Sequence, residues 1–137
     1  MRLVIEGRFE DDIGAVPISL GSIERSGSAG EAIGLSLAEG RALLGSVQEQ
    51  RVRVQCQAVS ASLSKCPECG ESFVVKGQHE RTIRTVFGYV RVPSPRLRYC
   101  ACRHVRLGAS FSPLVHALPA QMTPDLEYLQ VTDEAGK

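Results

Sequence analysis

The sequence predicts an α+β fold: an N-terminal β-hairpin, one long helix, a small antiparallel zinc-ribbon-like sheet and a short C-terminal helix. Three observations predict it. Apolar and charged residues alternate loosely from Leu3 to Phe9, the two-residue period of a strand. Ser36-Leu37-Ala38-Glu39 opens a helical run with a capping box, in which each end residue satisfies the other's free backbone N–H. Four of the five cysteines stand in two tight pairs, Cys66-Pro67-Glu68-Cys69 and Cys100-Ala101-Cys102. The chain of 137 residues has no tryptophan and only seven Phe or Tyr side chains. That is little material for one large core, so another device has to hold the fold together.

Residues 2–9 and 15–24 read as two strands around the turn signal Asp11-Asp12-Ile13-Gly14. The acidic cluster Glu10-Asp11-Asp12 belongs to that turn as solvated residues. A Gly/Ser-rich linker over 25–35 completes the first segment, residues 1–35. The helix occupies 36–63. Leu37, Leu44 and Val47 give its first half an apolar stripe. Val52, Cys56, Val59 and Leu63 give its second half another, offset by one residue. Gly40 and Gly45 lie inside it, each costing about 1 kcal/mol against alanine, which predicts weak first turns. Cys56 falls on the apolar stripe and reads as a packed thiol.

Residues 64–107 form a zinc-binding β module. Four short strands are predicted in it: Phe73–Lys76, Arg81–Phe87, Tyr89–Val92 and Arg96–Cys102, with Gly77 and Gly88 as turns and Pro93-Ser94-Pro95 as a break in the ladder. Alternation places Ile83, Thr85 and Phe87 on one side of the second strand. It separates Leu97 and Tyr99 from Arg96, Arg98, Cys100 and Cys102 on the fourth. Residues 108–137 form an irregular tether through Ser110-Phe111-Ser112-Pro113-Leu114 and a truncated C-terminal helix. That helix starts with Thr123 as N-cap, Pro124 at the first helical position, and Asp125 and Glu127 in the first turn.

The cysteine pairs have metal-ligand spacing. Two residues between Cys66 and Cys69 let both sulfurs converge, Pro67 fixes one backbone angle, and Gly70 permits the positive φ of a tight knuckle. One residue between Cys100 and Cys102 on a strand would put both sulfurs on one face. The expected ion is structural Zn2+, tetrahedral and closed to water. The alternatives are four unrelated buried thiols, an iron–sulfur centre or a redox dithiol, and His104 could replace Cys102 as fourth ligand. His79 and His116 stand apart from the cysteines as surface residues. The first residues lack the apolar stretch of a secretory signal, and no apolar run approaches the ~18 residues of a bilayer span. The expected setting is therefore cytoplasmic, without a membrane partner, and reducing, which disfavours disulfides.

Charge is unevenly spread. The chain carries +1 overall, but residues 65–106 hold nine basic and three acidic residues. A basic island of this kind suggests a polyanion partner, and a solvated sheet face with no partner is the alternative that charge alone leaves open. Arg84, Arg91, Arg96 and Arg98 are the candidate phosphate contacts. With no base-reading helix in view, shape and backbone contacts are expected over base readout. No Ser/His/Asp arrangement, P-loop or open metal site is present, so an enzyme is not expected.

The residues also carry a resemblance. The runs Leu37-Ala38-Glu39-Gly40-Arg41-Ala42-Leu43-Leu44, Cys66-Pro67-Glu68-Cys69-Gly70, Arg81 to Val92, Ser94-Pro95-Arg96-Leu97 and Cys100-Ala101-Cys102 occur in this order. Ser110-Phe111-Ser112-Pro113-Leu114, Leu118-Pro119 and Thr123-Pro124-Asp125-Leu126-Glu127-Tyr128-Leu129 follow them. Together they resemble the N-terminal region of bacterial insertion-sequence transposases of the ISKra family, over about residues 33–130. The resemblance implies a DNA-recognising front end, which in the family precedes a ribonuclease H-like domain with a carboxylate triad and divalent metal. The family's zinc-binding cysteines carry over onto Cys66, Cys69, Cys100 and Cys102; its catalytic carboxylates carry over onto nothing here. After Leu129-Gln130 the sequence departs from the family's long helix. The expectation is a fragment cut before the nuclease domain, binding transposon-end DNA without chemistry of its own. The alternatives are an assembly module that oligomerises with itself or inhibits a full-length transposase, and a non-functional remnant.

Overall fold

A computed structural model describes residues 1–10, 17–25, 30, 33–102 and 109–135. The fold is α+β, with two small antiparallel sheets, one long helix and two shorter ones among the described residues. The chain divides into two compact units, Met1–Gln48 and Glu49–Lys137.

In the first unit, β1 (Arg2–Gly7) and β2 (Ile18–Glu24) pair antiparallel. The predicted turn Asp11–Gly14 lies outside the described residues. The pair is closed at its open end by two backbone bonds between Met1 and Arg25, each 3.1 Å. Helix α1 (Leu37–Ser62) begins where the capping box predicts. The Ser36 backbone N–H donates to Glu39 Oε1 at 2.8 Å, and the Glu39 N–H donates to Ser36 Oγ at 3.1 Å. Arg25 adds an ion pair to the same carboxylate. The Ser36 backbone N–H, its hydroxyl and Arg25 hold the Glu39 carboxyl below its ordinary pKa. The contribution of the ionised carboxylate is therefore present above the ordinary carboxylate pKa and is lost as pH falls through the lowered one.

The apolar stripe expected on the first half of α1 is not buried. Leu37, Leu44 and Val47 are exposed. The side of the helix that meets the β1–β2 hairpin instead carries Glu39, Ala42, Leu43 and Ser46, which line a groove with Ile5, Leu20 and Ile23. Leu43 lies four residues beyond Glu39, so the ion pair with Arg25 and the apolar contact share one helix side. Gly40 lies in the first turns, and a Cβ there meets nothing within 4 Å. Two opposite outcomes are expected by thermal melting. Gly40→Ala raises stability by about 1 kcal/mol, and Ser36→Ala lowers it by about 1 kcal/mol.

In the second unit the four predicted short strands are two long ones. β3 (Val74–Thr85) and β4 (Gly88–Arg98) form a continuous antiparallel hairpin. Gly77 is not a turn: the register shifts between Val75 and Gly77, and the strand continues past this bulge. Pro93 and Pro95 do not break the ladder, pairing with Glu80 and Gln78. Two residues apart, they withhold donors from the same edge, leaving Ser94 between them to pair with His79. Among the described residues, β5 (Ser110–Phe111) pairs with the other edge of β4 at Leu97 and Arg98.

The second half of α1 packs on this sheet as its stripe predicts. Val52 and Cys56 join Ile83, Val90, Val92 and Leu114 in one core, with Val59 and Leu118 against it. Cys56 is thus a packed thiol, and burial raises its pKa. Thr85 is buried with Ile83, but Phe87 has left the strand for the tip and is exposed. The tether is not wholly irregular. Pro113–Ala117 forms a helix, α2, whose Pro113 and Leu114 are buried; Ser112 Oγ lies 2.9 Å from the buried Ser94 Oγ. Helix α3 (Pro124–Ala135) starts at the predicted proline. Thr123 does not cap through its hydroxyl, which has no partner among the described residues. Its backbone N–H instead donates to Arg84 O at 2.9 Å, tying the start of α3 to β3. No helix among the described residues is long and apolar enough to cross a membrane.

Candidate metal centre

The β3–β4 hairpin brings the two cysteine pairs together. Its base pairs Val74 with Arg98, so the chain before β3 and the chain after β4 emerge side by side. Cys66 and Cys69 lie on a knuckle just before it. The Cys66 N–H donates to Glu71 O at 2.9 Å, the Gly70 N–H to Cys66 O at 2.8 Å, and the Phe73 N–H to Ser64 O at 2.8 Å. Gly70 has φ 75°, the left-handed conformation the sequence predicts for it. Cys100 and Cys102 are not on a strand as expected. β4 ends at Arg98, and Ala101 and Cys102 sit in a turn. Turning the chain there, rather than strand alternation, aims both sulfurs at the knuckle.

All four sulfurs lie within 4.8 Å of one another. The Cys66–Cys102, Cys69–Cys100 and Cys100–Cys102 separations are 3.3, 3.8 and 2.9 Å. Sulfurs on a tetrahedral ion at about 2.3 Å stand about 3.8 Å apart, so the cluster can close around one cation with small adjustments. Soft thiolate donors in this number can hold a metal ion and are compatible with zinc. Burial is graded: Cys66 is buried, Cys100 half-buried, and Cys69 and Cys102 are exposed. Cys66 is seated in a second small core with Phe73 and Leu97, against which Tyr99, Cys100 and Phe111 pack. Phe73 stands edge-on to Tyr99 and Phe111, whose rings stack 4.6 Å apart. His104 lies outside the described residues.

The thiols differ in acidity. Backbone N–H groups of the knuckle, chiefly that of Cys69, point at the Cys66 sulfur and lower its pKa to about 6. The thiols of Cys100 and Cys66 hold the proton of Cys102 well above its ordinary range. Cys69 is raised despite the Glu71 N–H beside it, because partial loss of solvent and the thiols of Cys66 and Cys100 outweigh that donor and the Cys102 thiol. Four thiolates this close cannot all ionise without a cation among them. Metal entry at pH 7 is therefore expected to release at least the two protons of Cys69 and Cys102. Titration calorimetry in buffers of different ionisation enthalpy checks this.

The arginines do not form one platform. Arg84, Arg91, Arg96 and Arg98 are all exposed. Arg84 and Arg91 share the face opposite Ile83, Val90 and Val92. The inserted residue of the bulge is on β3, so β4 alternates without interruption and places Arg96 and Arg98 on the opposite face from Arg91. Arg96 Nε donates to Ser110 Oγ at 2.8 Å and so braces β5. Arg91 lies 3.8 Å from Glu80, an exposed pair of little energetic weight. Alternation puts Phe87 on the side of Ile83 and Thr85, yet it stands exposed at the tip with Val86, and Tyr89 is exposed behind them. The short turn at Gly88 was the signal that could have placed them there. Comparison with protein-family models, curated proteins and solved structures gives no match to this chain.

Proposed function

We propose that this chain is a zinc-stabilised DNA-binding module related to the front end of an ISKra-type insertion-sequence transposase, working in a reducing cytoplasm on transposon-end DNA. The observation that carries the reading is the convergence of four sulfurs from two separate segments at the base of a hairpin studded with exposed arginines. A four-thiolate zinc site is closed, so its role is structural. The ion ties the knuckle to the segment after β4. Arg84 and Arg91 on one face of the hairpin, and Arg96 and Arg98 on the other, are then the candidate phosphate contacts of a fixed frame, and no step of chemistry is assigned to the module.

The test is duplex binding by the metal-loaded chain across a salt series. If four to six phosphates are neutralised, log K falls against log salt with a slope of about −4 to −5. A chain that holds one zinc and yet retains no duplex at low salt overturns the DNA reading. A folded chain without stoichiometric zinc in elemental analysis overturns the metal.

A further inference from the structure

We infer that the tip of the β3–β4 hairpin is an apolar wedge that enters a groove of duplex DNA and kinks it, with Arg84 and Arg91 gripping the flanking phosphates. The inference rests on the DNA reading above and names how the duplex is engaged.

The tip joins exposed apolar side chains to a braced turn. Val86 and Phe87 occupy the turn and are 40% and 45% exposed, and Tyr89 directly behind them is 75% exposed. The turn that carries them is braced. The Phe87 N–H donates to Thr85 Oγ1 at 3.0 Å, and that hydroxyl donates to Gly88 O at 2.8 Å. Gly88 has φ 120°, which strains any other residue. The strand behind the tip is held as well: the Arg84 N–H donates to Gln121 O at 2.8 Å, and Arg84 O accepts from the Thr123 N–H at 2.9 Å. Phe87 is thus presented on a frame with little freedom left to lose on binding.

The cations sit where a wedge needs them. Arg84 pairs across the ladder with Tyr89, and Arg91 pairs with Thr82. The two guanidinium-bearing residues are diagonal neighbours on one exposed face, about 7–8 Å apart at the backbone. No ion pair among the described residues involves Arg84, and Arg91 has only the weak contact to Glu80. Charge complementarity therefore points to a polyanion. A two-stranded ribbon fits a DNA groove, and one inserted apolar side chain is enough to unstack a base step. A lipid surface would need more apolar area than Val86 and Phe87 offer.

The experiment uses the full metal-loaded chain and a 30-bp duplex labelled at both ends, read by energy transfer for bending and by anisotropy for affinity. The wild type is expected to bend the duplex by about 20–90°. Phe87→Ala is expected to abolish the bend and weaken binding roughly tenfold through the lost apolar contact, with the salt slope unchanged. Phe87→Leu restores part of both. Arg84→Gln and Arg91→Gln each reduce the slope by about one. Binding with the expected slope but with a straight duplex, insensitive to Phe87→Ala, overturns the wedge and leaves the DNA reading standing. Phe87-dependent binding to anionic phosphatidylserine vesicles, with duplex binding unaffected, overturns it in favour of a membrane. No duplex binding at any salt removes both readings. Phe87 is at the surface, so equal zinc content and equal melting of the variants separate a lost contact from a lost fold.

Discussion

A Cys66→Ser chain is expected to purify without a stoichiometric metal ion and to lose the ordered structure around Phe73, Leu97 and Phe111. Cys66 is both one of the four candidate ligands and a buried member of the second small core. Its replacement removes one of four donors and puts a hydroxyl where an apolar sulfur packs. Structural zinc supplies on the order of 10 kcal/mol of folding free energy in small zinc domains. That is comparable to the whole stability of an ordinary domain, which is about 5–15 kcal/mol. Elemental analysis and amide hydrogen exchange over residues 64–74 check the result. Cys56→Ser is the control: it perturbs the other core and keeps the metal. A Cys66→Ser chain that binds one ion as tightly as the wild type would remove the four-thiolate site.

Ile83→Ala is expected to destabilise the second unit by about 2–5 kcal/mol, measured by urea unfolding. Ile83 is fully buried among Val52, Cys56, Val90, Val92 and Leu114. The core is small, and among the described residues no aromatic ring belongs to it. Its neighbours come from the β3–β4 ladder, from α1 and from α2, so collapse around a cavity requires three elements to move together. Val74→Ala on the same strand, where the residue is exposed, is expected to stay within about 0.5 kcal/mol of wild type.

The parts of the fold written in local chemistry were legible. The reciprocal bonds of Ser36 and Glu39 need only residues three apart, and the structure forms both. The Cys66–Gly70 knuckle likewise carries its geometry in five consecutive residues. Strand length was not legible, because it depends on which edge is covered. Gly77 reads as a turn by itself, but it pairs with Arg96 and leaves Lys76 as the extra residue of a bulge. The prolines of β4 read as a break and become harmless when their blank side faces away from the ladder. The stripe on the first half of α1 failed for a similar reason. Leu44 and Val47 have helical spacing, but the hairpin meets Leu43 and Ser46 instead. Helix α2 is only five residues long, and its place is set by Leu114 reaching the core, which no window of sequence reveals. Cys100 and Cys102 were identified by spacing, although a turn rather than a strand presents them.

The paired prolines have one more consequence. A long two-stranded ribbon with a bare margin invites unfolded neighbours to dock laterally, backbone to backbone, and to seed fibrils. Along β4 such a newcomer would meet Pro93 and Pro95, two successive sites that give its carbonyls nothing to bind. The same pyrrolidine rings that the ladder tolerates from within therefore make the ribbon a poor template from without, and concentrated solutions of the folded chain should stay clear.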